Sequence, residues 1–187
     1  MVKYQTIIVD SKLIKNFGEI ISRLDEKGVL WVISQDQSKS GIITPNTFML
    51  IQELEKSGLM LKNVILWINR FEDITNMITN LYKNLLFLVK SNNYYLNKDP
   101  IREKHIWKDI EWGKRKRNYN PLGKDPGNVW IKTIDDNKGK IIAFEPLDFT
   151  EVIRRCILCA SRDGDHILLK LRNGVNLKEL NRRIDYE

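Results

Sequence analysis

Short apolar runs that alternate with amphipathic segments constrain the fold of this chain more than any other feature. Residues 5–9, 29–34 and 61–68 are apolar runs of strand length, and apolar side chains recur at helical spacing between them. Strands that alternate with helices in this way are typical of a parallel or mixed sheet covered on both faces. The sequence therefore predicts a doubly wound α/β domain.

Glycines and prolines at the ends of the amphipathic segments predict the helix boundaries. The helix over 13–24 is predicted to stop at Gly28, and Thr44-Pro45 is predicted to open a second helix as cap and first-turn proline. This second helix ends at Ser57-Gly58, and a third helix presents an apolar stripe over 149–160. The three helices are long enough to cover the strands between them.

The middle and end of the chain complete the predicted sheet. The runs 85–90 and 94–96 flank three polar residues, which predicts a hairpin that supplies one antiparallel strand. Further strands are predicted over 129–134 and 166–171, and the tail from residue 176 is predicted to be a short helix with a frayed end. The whole chain, 1–187, is expected to form one domain.

Composition narrows the class of protein. A chain of 187 residues with 42% hydrophobic and 29% charged residues is globular, not disordered or fibrous. Its formal net charge of +7 favours an anionic partner, most commonly nucleic acid. Because no apolar run reaches the roughly 18 residues that span a bilayer, the expected location is cytoplasmic, with the nucleus left open.

A basic, aromatic segment at 97–128 interrupts the α/β pattern and is expected to be a long ordered insert. It combines phosphate-seeking charge with rings able to stack on bases. The alternative to nucleic-acid binding is that this charged run is only a solvated loop. The candidate nucleic-acid-binding residues are Arg102, Trp112, Lys114, Arg115, Lys116, Arg117, Tyr119 and Lys124, and Lys104 and Lys108 extend the same surface.

The order of these pieces resembles the amino-methyltransferases of DNA that modify N4 of cytosine or N6 of adenine, in their circularly permuted class. The segment 123–130 follows the family's Gly-Lys-x-Pro-Gly-x-Val-Trp pattern, and Phe144-Glu145-Pro146 resembles its His-Pro segment with Glu145 in place of His. The resemblance implies a Rossmann-like, S-adenosylmethionine-dependent methyltransferase fold that is circularly permuted. It also implies that 97–128 occupies the place of the target-recognition insert.

The catalytic tetrapeptide of that family is altered in this chain. The family places Asp, Ser or Asn before Pro-Pro and an aromatic residue, so that the exocyclic amine is bound and the flipped base is stacked. Here the position reads Asp10-Ser11-Lys12-Leu13. No catalytic residue is therefore assigned, and Asp10 is either a remnant of the catalytic acid or a helix N-cap.

The cofactor motif is altered as well. The family's glycine-rich loop lets the backbone approach S-adenosylmethionine, whereas Gly174 is the one glycine at the equivalent place in this chain. Glu187 stands where an acid would hold the ribose hydroxyls. Gly174 and Glu187 are thus remnant candidates, the fold is expected to be incomplete on the cofactor side, and no cofactor is expected in the isolated chain.

Cys156 and Cys159 form a Cys-x-x-Cys pair that resembles half a metal site. Tetrahedral zinc needs four ligands, and His105 and His166 are the remaining histidines. Because Cys156 lies on the apolar stripe of the third helix, the pair is expected to be buried thiols. No metal site is predicted.

Three functions remain open. The first is a catalytically inactive, DNA-methyltransferase-like protein that binds nucleic acid or acts as a scaffold, as a homodimer or paired with an active methyltransferase. The second is an active adenine-N6 or cytosine-N4 methyltransferase whose S-adenosylmethionine site is completed by a partner. The third is a protein-interaction module without nucleic-acid binding.

Overall fold

Three helices and eleven strands form the part of the chain that the computed structural model describes, which is residues 2–40, 42–71, 81–106, 119–138 and 140–187. In chain order they are β1 (Tyr4–Asp10), α1 (Phe17–Arg23), β2 (Leu24–Ser34), β3 (Gln37–Lys39), β4 (Ile42–Thr44), α2 (Asn46–Lys56), β5 (Met60–Ile68), β6 (Tyr82–Val89), β7 (Val129–Trp130), β8 (Lys132–Asp135), β9 (Ile141–Glu145), α3 (Phe149–Ala160), β10 (His166–Lys170) and β11 (Arg183–Tyr186). Short 3-10 helices lie at Ser11–Leu13 and Asp99–Ile101.

The main sheet has seven strands in the order β11-β10-β1-β2-β6-β5-β7. The pairs β11/β10, β10/β1, β1/β2 and β5/β7 are parallel, and β6 is antiparallel to both of its neighbours. Two small antiparallel pairs, β3/β4 and β8/β9, lie outside this sheet. The predicted α/β fold with a mixed sheet and an antiparallel strand is confirmed.

Helices cover both faces of the sheet. Alternate side chains of the central strands point to opposite faces, so that Ile8 packs in the core that includes α3, whereas Ile7 packs in the core that includes α1 and α2. Residues 29–33 of β2 are buried throughout because both of its faces are covered. No helix among the described residues has the length and apolar character needed to cross a membrane.

The strand predicted at 94–96 is wrong. These residues pair with no strand, and the antiparallel partners of β6 are β2 and β5. The segment instead leaves the sheet: the Tyr94 ring meets the Phe87 ring edge-on at 5.6 Å, and the Asn97 amide donates to the Cys159 carbonyl at 2.8 Å. It therefore crosses towards α3.

Two further boundaries differ from the prediction. The first helix ends at Arg23, and Gly28 lies inside β2, where a Cβ atom would come within 3.0 Å of the Tyr4 carbonyl oxygen on β1. Gly28 thus allows close approach of two strands and does not end a helix. The tail forms strand β11, not a helix, because Ile184 pairs with Ile167 of β10.

Asp36, not Thr44, provides the side-chain acceptor at the start of α2. Pro45 occupies the cap position and makes no side-chain cap bond, and Thr44 belongs to β4. The Thr47 amide donates to Oδ1 of Asp36 at 2.8 Å. The cap therefore comes from the turn that follows β2.

Asp36→Ala is expected to lower the free energy of unfolding by about 1 kcal/mol, because the substitution leaves the Thr47 amide without its acceptor. Thr44→Ala is the matched control, and we expect a change below about 0.5 kcal/mol because Thr44 is an exposed residue of β4. Urea unfolding of the two variants measures the difference. Equal losses in both would contradict the assignment of the cap.

Candidate functional site

The connections after β1 and β10, which are adjacent parallel strands, diverge at the carboxyl ends of these strands, and we call the space between the two connections the crevice. The connection after β1 covers one face of the sheet through Phe17 and Ile20 of α1. The connection after β10 covers the other face, where Leu177 is fully buried. In open α/β sheets, ligands bind where successive connections diverge in this way. This crevice is therefore the candidate ligand site.

Asp10 ends β1 at the crevice, and both of its carboxylate oxygens have partners. Oδ1 accepts from the Lys12 amide at 2.9 Å, so that Asp10 caps the short helix Ser11–Leu13. Oδ2 lies 3.3 Å from Nε of Arg172, which follows β10. Asp10 therefore acts as the N-cap of the short helix, which is one of the two alternatives given by the sequence. The sequence did not predict its ion pair with Arg172.

Lys83 of β6 adds a half-buried cation near Asp10. Its Nζ lies 5.0 Å from the centre of the Trp67 ring. Burial lowers the pKa of Lys83, the positive charges of Lys12 and Arg172 lower it further, and the negative charge of Asp10 opposes them. Among the described residues, the Asp10 carboxylate thus acts on Lys83 together with the charges of Lys12 and Arg172 at this edge of the sheet.

The segment 171–182, which joins β10 to β11, does not form a glycine-lined cradle. Gly174 has open space where a Cβ atom would stand, and its φ lies outside the left-handed region. Leu177 is fully buried, and Leu171, Val175 and Leu180 pack partly buried against the same core. The residues of this segment do not fit S-adenosylmethionine. Gly174 is not at a point of close approach, since a Cβ atom would fit there, and the apolar side chains of the segment pack into the core instead of lining a cofactor site.

Glu187, the second remnant acid, is also paired. Its carboxylate accepts from Arg23 at 2.6 and 3.0 Å, and its backbone amide donates to the Leu169 carbonyl at 2.9 Å. These Arg23 hydrogen bonds lower the pKa of Glu187. Lys170 lies 3.9 Å away. Like Asp10, Glu187 is bound to an arginine of this chain.

The second candidate site is a cleft of about 290 Å³ near the predicted nucleic-acid-binding residues, lined by Arg102, Glu103, Lys104, Ile106, Lys124, Ile131, Lys132, Thr133, Asp135, Leu147 and Arg155. We call it the basic cleft. It brings together Arg102 and Lys124 of the predicted set with Lys104. Trp112 and the run Lys114, Arg115, Lys116 and Arg117 lie outside the described residues, as does Lys108.

Backbone pairing holds one wall of the basic cleft. Glu103 and Lys124 exchange both amide-to-carbonyl hydrogen bonds, at 2.9 and 2.7 Å. Gly123 makes this approach possible: its φ is 115°, and a Cβ atom there would lie 2.6 Å from the Glu103 carbonyl oxygen. The glycine that opens the segment 123–130 is therefore required by geometry.

Ion pairs organise the cations of the basic cleft. Lys104 lies 3.2 Å from Asp135, Lys124 lies 3.7 Å from Glu103, and Lys132 lies 2.7 Å from Glu145. The three lysine side chains are more than half exposed. Arg155, in contrast, is buried and bridges Glu103 at 2.9 Å and Glu151 at 3.0 Å.

Two cleft cations were missed by the sequence reasoning. Lys132 and Arg155 lie outside 97–128, on β8 and α3, and no pattern in the sequence links them to that segment. Tyr119, a predicted stacking residue, is partly exposed and contacts the His105 ring at a centroid distance of 4.9 Å. Its place beside the basic cleft keeps it a candidate.

The two cysteines are buried thiols, as expected from their position on the apolar stripe of α3. Burial raises the pKa of both thiols, that of Cys159 to about 12. His166 contacts Arg183 at 3.1 Å, and His105 contacts the Asn120 carbonyl at 3.0 Å. Within the described ranges, no group of three or more His, Cys, Asp or Glu side chains is arranged to hold a metal ion.

Comparison with solved structures defines the class of protein. PvuII DNA methyltransferase, which is cytosine-N4-specific, superposes with a TM-score of 0.62 at 10% identity, over 100% of this chain and 76% of that chain. The M1.HpyAVI complex with S-adenosylmethionine gives 0.56 at 14% identity, over 99% and 82%. TTHA0409 from Thermus thermophilus, complexed with S-adenosyl-L-methionine, gives 0.57 at 13% identity, over 100% and 82%. The fold is that of S-adenosylmethionine-dependent methyltransferases.

A family model places the chain more narrowly. The model described as DNA methylase, which covers N6 and N4 methyltransferases, matches residues 9–168. This chain therefore belongs to the DNA methylase family, and the predicted family resemblance is confirmed. No curated protein sequence matches it.

Arg23→Gln is expected to lower the free energy of unfolding by about 1 kcal/mol at pH 7, because it removes a partly buried ion pair with Glu187. The pKa of Glu187 is depressed below its ordinary value of 4.5 in the folded chain. Its contribution to stability is therefore present above that value and is lost as the pH falls through the folded pKa. Urea unfolding measures this loss. The difference in the free energy of unfolding between Arg23→Gln and the unsubstituted chain should be smaller at acidic pH than at neutral pH.

Lys170→Gln is the control for this experiment, because Lys170 lies farther from Glu187, at 3.9 Å. It is expected to change the free energy of unfolding by less than about 0.5 kcal/mol at either pH. A deficit of Arg23→Gln that stays constant across the acidic range would contradict the role of the Glu187 charge.

Proposed function

We propose that this chain is a catalytically inactive member of the DNA methylase family that binds nucleic acid inside the cell and supports a partner subunit. The observation that carries the proposal is the state of Asp10. Its two carboxylate oxygens are engaged by the Lys12 amide and by Arg172, both from this chain. An acid held in this way, with its charge paired to an arginine, accepts a substrate amine less readily than a free carboxylate does.

The charge around Asp10 supports the same conclusion. Methyl transfer from a sulfonium to an exocyclic amine places positive charge at the reacting centre, which nearby anions stabilise and nearby cations oppose. Arg172 lies 3.3 Å from Asp10, and among the described residues Lys12 and Lys83 add positive charge nearby. In addition, Leu13 stands where the family carries an aromatic ring, so no stacking surface follows Asp10 for a flipped base.

The basic cleft supports nucleic-acid binding. The side chains of Lys104, Lys124 and Lys132 are more than half exposed, and an ion pair whose cation is in contact with solvent contributes only about 1 kcal/mol. These lysines can therefore exchange their carboxylate partners for phosphates at small cost. The segment 97–128, which contributes Arg102, Lys104 and Lys124 to the cleft, carries nine Lys and Arg against five Asp and Glu residues in its sequence.

An apolar surface supports pairing with a second subunit, which is either another copy or an active relative. Ile42 and Ile43 of β4 and Phe48 and Met49 of α2 are 73%, 57%, 69% and 61% exposed. Four large apolar side chains this close in the chain mark an interaction surface more often than a free one. A mass of one 22.1 kDa chain in sedimentation, alone and with candidate relatives, would contradict the pairing.

An active methyltransferase is the second candidate. It is favoured by the two superposed structures that hold S-adenosylmethionine. Under this alternative a partner chain completes the cofactor site, and Asp10 binds the target amine after Arg172 moves away. The third function, an interaction module without nucleic acid, is supported only by the apolar surface.

No methyl transfer to duplex DNA is expected from the purified chain with labelled S-adenosylmethionine, because neither the cofactor loop nor the acceptor tetrapeptide is complete. The result should be the same after mixing with candidate partners that have been inactivated at their own tetrapeptide. Turnover that is lost in Asp10→Ala would favour the active alternative. Turnover that persists in Asp10→Ala would point to a contaminating enzyme.

Lys104→Gln and Lys132→Gln are each expected to reduce the slope of log affinity against log salt by about one unit on duplex DNA, since each removes one phosphate contact. Lys56→Gln, an exposed lysine at the end of α2, is the matched control and should leave the slope unchanged. Fluorescence anisotropy over a series of salt concentrations measures the slopes. Absence of any salt-dependent binding would favour the interaction module.

A further inference from the structure

The crevice between β1 and β10 carries a surplus of positive charge. Arg172 and Lys12 follow the two strands, and Lys83 stands on β6 beside them, so that three cations face the one carboxylate of Asp10. Two of these cations reach the crevice from parts of the chain that are distant in sequence from Asp10. The surplus is thus a property of the folded chain.

Strand register shows why Lys83 belongs to this crevice. Asp10 pairs with Ile33 of β2, and Ile33 pairs with Leu85 of β6. Asp10 lies two residues after Ile8, and Lys83 lies two residues before Leu85; Ile8 and Leu85 point into the same core. Side chains two apart share a face. Asp10 and Lys83 therefore lie on one face, at the carboxyl edge of the sheet.

Within the described ranges, the charge balance of the crevice favours an added anion. The Lys12 amide and Arg172 already engage both oxygens of Asp10. Lys83 lies over the Trp67 ring and is half-buried, and a cation withdrawn from water is stabilised by a counter-charge. Among the described residues, the one carboxylate of Asp10 leaves a surplus of positive charge beside Lys12, Lys83 and Arg172.

We propose that this crevice binds a phosphate group, carried either by a small phosphate compound or by the backbone of a nucleic acid. Arginine presents a planar fork that matches phosphate oxygens, and lysine adds a mobile point charge. A site between diverging connections at the carboxyl ends of parallel strands is open to such a ligand. This inference does not depend on the DNA contact in the basic cleft, which lies on other residues.

Calorimetric titration of the full chain with pyrophosphate tests the proposal. Saturable binding is expected, weakened about tenfold by Lys83→Gln and by Arg172→Gln, because each removes a charge-assisted hydrogen bond. Lys12→Gln, at an exposed residue, should weaken binding about threefold without risk to folding. Lys56→Gln makes the same change of charge on α2 and should have no effect.

Asp10→Asn tests the direction in which the affinity for pyrophosphate changes when the negative charge is removed. Asparagine can still cap the short helix, but the substitution removes the carboxylate, so pyrophosphate is expected to bind more tightly, by about threefold. A site for a sulfonium cofactor would respond in the opposite direction. Any of three results would overturn the proposal. These are no saturable binding of pyrophosphate, binding that is unchanged in both Lys83→Gln and Arg172→Gln, and weaker binding of pyrophosphate to Asp10→Asn.

A single-stranded oligonucleotide with 5′-hydroxyl ends, added as competitor, identifies the source of the phosphate. If the oligonucleotide displaces pyrophosphate, and still does so in Lys104→Gln and Lys132→Gln, the crevice binds the backbone of a nucleic acid. No displacement assigns it to a small phosphate compound. Either result supports the anion site, and neither depends on the salt slopes of the basic cleft.

Discussion

The parallel pairing of β1 with β10 is the interaction on which the rest of the structure depends. It joins residues near the two ends of the described chain, with Ile8 opposite Leu169 and Val9 opposite Lys170. The buried Thr6 hydroxyl strengthens it by donating to the Ala160 carbonyl at the end of α3, at 2.9 Å. Because the connections after these strands run to opposite faces, the pairing also creates the crevice.

The chemistry of the crevice follows from the side chains that the pairing brings together. In this chain Asp10 meets Arg172 across the crevice, and Glu187 meets Arg23 at the neighbouring strand. Asp10 and Glu187, the two remnant candidates, are thus each paired with an arginine of the same chain. The proposed loss of catalysis and the proposed anion site both depend on the cations near Asp10, which are Lys12, Lys83 and Arg172.

The sequence predicted the strands that are buried on both faces, because a continuous apolar run such as 29–34 has few other structures available. It failed where local residues compete with distant partners. Glycine is typical of a helix end, but Gly28 is required because β1 approaches it closely. Threonine is typical of a helix cap, but the side-chain acceptor at the start of α2 is Asp36, not Thr44. The tail became a strand because β10 offered a free edge.

Site residues divide in the same way. Asp10 was a candidate because it ends a predicted strand, and Lys124 because it lies in a family segment. Arg172, Lys83 and Lys132 could not be predicted, since each acts through a neighbour that only the folded sheet supplies. The family's fold is therefore readable from local patterns, whereas the ion pairs of Asp10 and Glu187 are visible only in tertiary contacts.

The most direct measurement for this account is equilibrium binding of S-adenosylmethionine to the purified chain, in the presence and absence of duplex DNA. The account predicts no saturable binding up to millimolar concentration, because the segment 171–182 packs into the core and cations surround Asp10. Saturable binding in the micromolar range that weakens in Asp10→Ala would contradict it.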